Sequence, residues 1–129
     1  MSNRPRVLVI EDDALTAELI ADFLELEDFD VTSMDSAFGA EGFIRRTQPD
    51  AIVLDLLLPF LSAPGLLSRL KRDPATQAIP IIVCASADDT PVPPSAASQT
   101  VAILHKPLDL RDLLDALRRA TTHPKRRAG

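Results

Sequence analysis

The chain has no tryptophan, no tyrosine and a single cysteine, and no apolar run approaches the length needed to span a bilayer. The first two absences remove the usual intrinsic fluorescence probe for metal or phosphate binding. A lone cysteine, Cys84, excludes an internal disulfide and agrees with a reducing compartment, and its position after Ile81-Ile82-Val83 marks it as a buried packing residue. The start, Met1-Ser2-Asn3-Arg4-Pro5, lacks the apolar core of a secretory signal, so the expected location is cytoplasmic. A positive excess is missing as well. Against 14 lysines and arginines stand 19 acids, for a net charge of −5, which argues against direct nucleic-acid binding as the main role. A length of 129 residues and a hydrophobic share of 46% suit one domain with a single core.

What is present is an alternation of strand and helix patterns built around Ala51-Ile52-Val53-Leu54-Asp55-Leu56-Leu57-Leu58-Pro59. A continuous apolar run after the turn-like Gln48-Pro49-Asp50 reads as a strand buried on both faces, as in a parallel sheet. Asp55 ends it where open α/β sheets bind their ligands, in the crevice beyond the strand ends. One such aspartate is an ordinary strand terminator. Val7-Leu8-Val9-Ile10-Glu11-Asp12-Asp13 repeats the design, however, and two neighbouring strands of this kind would bring Glu11, Asp12 and Asp55 to one sheet edge. Like charges brought together resist ionising unless a cation joins them. A small set of oxygen ligands suits Mg²⁺, which keeps waters and takes further ligands from phosphate. A third strand end, Ile103-Leu104-His105-Lys106-Pro107, adds an ammonium, and the combination suggests a phosphoryl site.

Between the strands, Ala14 to Leu26 reads as an amphipathic helix whose stripe Leu15, Leu19, Phe23 and Leu26 would cover the sheet. A short strand follows near Val31-Thr32-Ser33-Met34. Ser36 can cap a helix from Ala37 to about Arg46, held by Phe38, Phe43 and Ile44 despite Gly39 and Gly42. Ser62 can cap a third helix bearing Leu66, Leu67 and Leu70, which ends near Asp73-Pro74 because proline disfavours helix geometry in the residue before it. A fourth strand is expected at Pro80-Ile81-Ile82-Val83-Cys84 and a fifth at Val101-Ala102-Ile103-Leu104. Between them the segment 88–100 holds three prolines and no apolar stripe, leaving room for little more than a turn. Asp109 opens the last helix, with Leu110, Leu113, Leu114 and Leu117 at helical spacing. His123-Pro124-Lys125-Arg126-Arg127-Ala128-Gly129 reads as a solvated basic tail. Short right-handed connections give a flavodoxin-like, doubly wound five-stranded parallel sheet of order 2-1-3-4-5, with helices on both faces and a short or irregular fourth helix.

In the order of these motifs the sequence resembles the receiver domains of two-component response regulators: the acidic pair after strand one, the aspartate ending strand three and Lys106-Pro107 after strand five. The resemblance runs from about Arg6 to about Thr121 and implies a phosphoacceptor at Asp55. It further implies Mg²⁺ held directly by Asp12 and Asp55, by Glu11 through a water, and by the backbone carbonyl of Leu57. Lys106 matches the lysine that pairs with the aspartate at rest and with a phosphoryl oxygen afterwards. Asp13 is expected to face solvent at the start of the first helix, and His105 to be a bystander. Two positions depart from the pattern. Where the family places a threonine or serine at the end of strand four, the count reaches Ala85, with Ser86 next. Either the strand end is shifted so that Ser86 supplies the hydroxyl, the assignment adopted here, or the hydroxyl is absent and switching is weakened. Ile103 stands where many members carry a switching aromatic.

The resulting expectation is a receiver domain over residues 5–122, a basic tail over 123–129 and no output domain. It would be phosphorylated on Asp55 by a sensor histidine kinase or a histidine phosphotransfer protein and would act on an unidentified downstream protein. Neither nucleic acid nor membrane is contacted directly, and the state is monomer or weak dimer. It catalyses only its own phosphoryl transfer and is not an enzyme in the turnover sense. Signalling would pass through the segment Pro91 to Thr100 or another face, such as that of the first helix. The main alternative is a degenerate receiver that binds partners without phosphate, favoured by Ala85, Ile103 and the broken fourth helix. A flavin or dinucleotide module is disfavoured by the missing glycine-rich loop after strand one. A Mg²⁺-dependent phosphatase is disfavoured by Leu57 standing where a second acid would serve.

Overall fold

A computed structural model describes residues 4–55, 63–85, 102–105 and 107–121. The strands β1 (Arg6–Ile10), β2 (Asp30–Met34), β3 (Ala51–Asp55), β4 (Ile81–Ala85) and β5 (Ala102–His105) form one parallel sheet in the order β2-β1-β3-β4-β5. Among the described residues the helices are α1 (Ala14–Leu26), α2 (Ala40–Thr47), α3 (Ala63–Arg72) and α4 (Leu110–Thr121). This is the doubly wound order expected from the alternation. Its register aligns the strand ends: Ile10 pairs with Leu54 and with Met34, Asp55 with Cys84, and Ala85 with His105.

The central strands are buried on both faces because alternate side chains enter two separate cores. Leu8, Ile10, Ile52, Leu54, Ile81 and Val83 pack with Ile44 of α2 and with Leu66, Leu67 and Leu70 of α3. Val7, Val9, Val53, Ile82 and Cys84 pack with Ile20 and Leu24 of α1 and with Leu113 and Leu117 of α4. Each fully buried aliphatic side chain contributes about 1.5–3 kcal/mol of transfer free energy. Those contributions hold short helices in place that would be marginal alone. Cys84 is buried in the second core, as its sequence setting implies.

α1 has the expected limits, but a different face meets the sheet. Ala17, Ile20 and Leu24 are buried, whereas Leu15, Leu19 and Leu26 are 64%, 57% and 83% exposed. Phe23 alone of the expected stripe packs against the core, and only in part. The reason lies in Asp22, three residues after Leu19 and four before Leu26, and therefore on the same stripe. Turning that stripe inward would bury an unpaired carboxylate, which costs more than several leucines recover. Ala17 also lets the helix approach the sheet closely.

α2 begins three residues later than Ser36 capping would place it. Gly39, at φ 77°, occupies the cap in the left-handed region that glycine tolerates. The Ser36 hydroxyl instead accepts from the Phe38 N–H at 3.2 Å, and Phe38 is 79% exposed rather than packed. Ile44 is buried and Phe43 packs partly against the first core, as expected. The glycine penalty of a helix interior therefore applies to Gly42 and not to Gly39. α3 buries Leu66, Leu67 and Leu70 and ends where Asp73-Pro74 begins a turn, with the Asp73 carbonyl accepting from Thr76 N–H at 2.9 Å. β4 starts at Ile81, one residue after Pro80, whose carbonyl accepts from Ile52 N–H at 3.0 Å. Asp109 caps α4, its carboxylate accepting from Arg111 N–H at 2.8 Å. The expected Ser62 cap, the irregular segment 88–100 and the basic tail 123–129 lie outside the described residues.

Candidate functional site

Two of the expected carboxylates reach the sheet edge on adjacent strands. Glu11 follows β1 directly, and its backbone N–H continues the pairing with β2 by donating to the Met34 carbonyl at 2.9 Å. Asp55 is the last residue of β3. Both are buried, at 5% and 3% exposure, while Asp12 is exposed. One carboxylate oxygen from each of Glu11, Asp12 and Asp55 lies within 4.8 Å of the others. The Glu11 carboxylate also accepts from the Asp13 N–H at 3.1 Å, which fixes the turn leaving β1.

Asp13 has a different task from its neighbours. It is the N-cap of α1: its carboxylate accepts from Thr16 N–H at 3.0 Å and from the Thr16 hydroxyl. The acidic run therefore divides, with Glu11 and Asp12 in the cluster and Asp13 holding the helix start. The helix so fixed leaves Leu15 and Leu19 exposed where helical periodicity predicts core packing, and Leu19 lines a groove beside Glu11. The signal was available in Asp22, which shares their stripe.

The other strand ends frame the cluster. Ala85 is the last residue of β4 and is buried, so the strand closes on a methyl group at that position. His105 ends β5 and is exposed. Ile103 is half-buried against the first core. Leu57, Ser86, Lys106 and the segment Pro91 to Thr100 lie outside the described residues. A groove of about 340 Å³ runs from Glu11 between α1 and the start of α4, lined by Leu19, Ile20, Cys84, Pro107 and Leu108.

The donor set fits a hard divalent cation. All three side chains offer oxygen, the ligand type preferred by Mg²⁺, and the exposed Asp12 leaves one side open for water or a phosphoryl oxygen. Two buried carboxylates so close also carry a mutual repulsion that a cation would relieve.

Among the described residues no helix is long and apolar enough to cross a membrane. A sequence-family model described as the response regulator receiver domain matches residues 7–118. The chain is 34% identical over 79 residues to the DNA-binding dual master transcriptional regulator RpaA of Synechocystis sp., a match covering 61% of this chain and 33% of that protein. It is 38% identical over 77 residues to the phosphate regulon transcriptional regulatory protein PhoB of Pseudomonas aeruginosa, covering 60% of this chain and 34% of that protein. The matched stretch thus spans about a third of the length of these curated relatives. In fold it is similar to the crystal structure of a putative response regulator from Chloroflexus aurantiacus, with a TM-score of 0.86 at 23% identity, over 94% of this chain and 100% of that one. With the parallel sheet of order β2-β1-β3-β4-β5 and carboxylates at the ends of β1 and β3, the chain belongs to the response regulator receiver domain family.

Proposed function

We propose that this receiver is a phosphoacceptor switch in which Asp55 takes a phosphoryl group from a phosphohistidine of a sensor kinase or a histidine phosphotransfer protein. The observation that carries the reading is the clustering of Glu11, Asp12 and Asp55 at adjacent strand ends, two of them buried. Receiver domains are signalling modules that generally bind Mg²⁺ at an acidic pocket and meet histidine kinases or phosphotransfer proteins, and the cluster of these three residues supports the same role here. Keeping buried carboxylates together is costly without a cation, which favours this reading over a receiver that works without phosphate.

In the proposed reaction an Asp55 carboxylate oxygen attacks phosphorus in line. The P–O bond to Asp55 forms as the P–N bond to the donor imidazole breaks, and the imidazole leaves and takes up a proton. Carboxylates are weak nucleophiles, so positioning and charge neutralisation supply the rate. Bound Mg²⁺ would neutralise charge on the phosphoryl oxygens. Asp12 and Asp55 would hold it directly, Glu11 through a water, and Leu57 by its backbone carbonyl. Burial of Asp55 at the end of β3 limits its rotamers and keeps its carboxylate with those of Glu11 and Asp12. Lys106 would pair with a phosphoryl oxygen, and Ser86 would donate its hydroxyl to the phosphorylated state. With Ala85 closing β4, a serine contribution must come from the following residue. A hydrogen bond to a charged acceptor adds roughly 1.5–3 kcal/mol, so its loss would weaken switching without stopping phosphoryl transfer. The domain would act in the cytoplasm on a separate downstream protein.

Intact mass after incubation with acetyl phosphate and Mg²⁺ tests this. A single phosphoryl adduct that requires Mg²⁺ and is absent in Asp55→Asn is the expected result. If no adduct forms with acetyl phosphate, with a kinase or with beryllofluoride although Mg²⁺ binds, the phosphate-independent module replaces it.

A further inference from the structure

A second groove, of about 590 Å³, lies where α1 meets the end of β2 and the turn that follows it. Ala14 and Ala17 of α1 and Met34 of β2 give it an apolar lining, and Glu18, Asp35 and Phe38 line it as well. The turn between β2 and α2 sets Phe38 outward. Ala37 and Ala40 on either side are buried, the Ser36 hydroxyl accepts from the Phe38 N–H at 3.2 Å, and the Ala40 N–H donates to the Ala37 carbonyl at 3.1 Å. An aromatic ring is thereby held in solvent by a defined turn.

The charges beside it lack a counterpart. Glu18 and Asp35 are exposed, and among the described residues neither takes part in an ion pair. Elsewhere Glu27, Asp28, Glu41 and Asp73 each meet an arginine. Among the described residues no lysine, arginine or histidine lines the groove. An aromatic face beside two uncompensated carboxylates is the chemistry that recognises a guanidinium. Such a group stacks on the ring by cation–π attraction, directs its N–H donors to carboxylates and lays its aliphatic stem on apolar surface. Ala14, Glu18, Asp35 and Phe38 are all exposed, so the groove suits a segment laid across it better than an enclosed small molecule. A net charge of −5 works against a second copy as the occupant.

We propose that this groove docks an arginine-bearing segment of a partner protein, with the guanidinium over Phe38 and paired with Glu18 and Asp35, and with its aliphatic stem on Ala14 and Met34. The contacts are exposed and individually weak, so the docking is reversible and sensitive to salt. Arginine is favoured over lysine because its planar fork serves the ring and the carboxylates together. The proposal stands on the groove alone and does not require the phosphoacceptor function of Asp55.

Titrating the isotopically enriched full chain, in Mg²⁺, with an acetylated and amidated Ala-Leu-Arg-Leu-Ala peptide tests the docking. Amide signals of residues 14–18 and 33–39 should shift and saturate. Phe38→Ala should weaken binding about two- to fivefold, as expected for one exposed cation–π contact. E18Q/D35N should weaken it at least about twofold, and so should lysine in place of the peptide's arginine. All three positions are exposed, so the variants keep the fold, as unchanged core amide shifts would verify. D112N/D115N, which removes the same charge from the exposed side of α4, should leave the affinity unchanged. Equal weakening by D112N/D115N, shifts centred on Asp55 or on another element, or no saturable shift up to about 10 mM peptide would overturn the proposal. Equal affinity for arginine alone would overturn it in favour of a small cationic ligand. Concentration-dependent shifts of residues 33–39 without peptide would overturn it in favour of a second copy. No readout here uses phosphorylation of Asp55, so failure of the docking and failure of the phosphoacceptor reading are distinguishable.

Discussion

Replacing Asp55 by asparagine removes one of the two buried charges at the sheet edge while nearly preserving volume. Glu11 and Asp55 offer oxygens within 4.8 Å of each other at 5% and 3% exposure. At that separation two unit charges repel by about 3.5 kcal/mol for an effective dielectric constant of about 20. Asp55 has other interactions in the folded chain, and losing charge-assisted hydrogen bonds there gives back roughly 1.5–3 kcal/mol. The net expectation in chelator is a variant more stable than the parent by about 0.5–2 kcal/mol. Mg²⁺ should reverse the order. At a concentration a hundredfold above its dissociation constant it adds about 2.7 kcal/mol to a protein with one intact site, and the asparagine variant should gain much less. Urea unfolding followed by far-ultraviolet circular dichroism, with and without Mg²⁺, measures both effects in a chain without tryptophan or tyrosine. A variant that is no more stable in chelator and gains as much from Mg²⁺ as the parent would refute the electrostatic reasoning.

Three further outcomes follow from the same geometry. Leu24→Ala should cost about 2–5 kcal/mol because Leu24 is fully buried between α1 and the sheet, whereas Leu19→Ala should stay within about 0.5 kcal/mol; equal losses in urea unfolding would contradict the observed face of α1. The Asp73 carboxyl is held below its ordinary value of 3.8, first by the Ala75 N–H and then by the Arg45 guanidinium. A lowered folded-state value stabilises the fold above the unfolded value and loses that contribution as the pH falls through the folded one. The stability difference between the parent and Asp73→Asn should therefore be full above about pH 5 and fade below about pH 4; a difference independent of pH over that range would contradict this. From the sequence alone, the apolar Leu57 two residues after Asp55 has no polar group to orient a hydrolytic water, so the phosphorylated chain should persist for minutes or longer, and a lifetime of seconds by timed intact-mass analysis would exclude that view.

The fold was legible because its signals are redundant. The apolar runs at β1, β3 and β4 specify buried parallel strands, and Leu113, Leu114 and Leu117 leave α4 only one face to bury. Where two faces competed, periodicity misled. α1 carries leucines on one side and Ala17, Ile20 and Leu24 on another, and only the position of Asp22 separates them. The start of α2 depended on a backbone conformation, the positive φ of Gly39, which a serine three residues earlier did not reveal. In the site, Glu11 and Asp55 were readable from strand ends, and the sheet order brings them together with Asp12. The division of labour between Asp12 and Asp13 became concrete only with the Thr16 N–H bond to Asp13.

The central claim is that Asp55 carries the phosphoryl group, and borohydride trapping tests it most directly. Reduction of an acyl phosphate converts the modified aspartate to homoserine, whose position peptide mass mapping then reads. After incubation with acetyl phosphate and Mg²⁺, homoserine should appear at position 55 alone and should be absent when Mg²⁺ is chelated. Homoserine at Asp12 or Asp13 instead, or the same yield without Mg²⁺, would contradict the account.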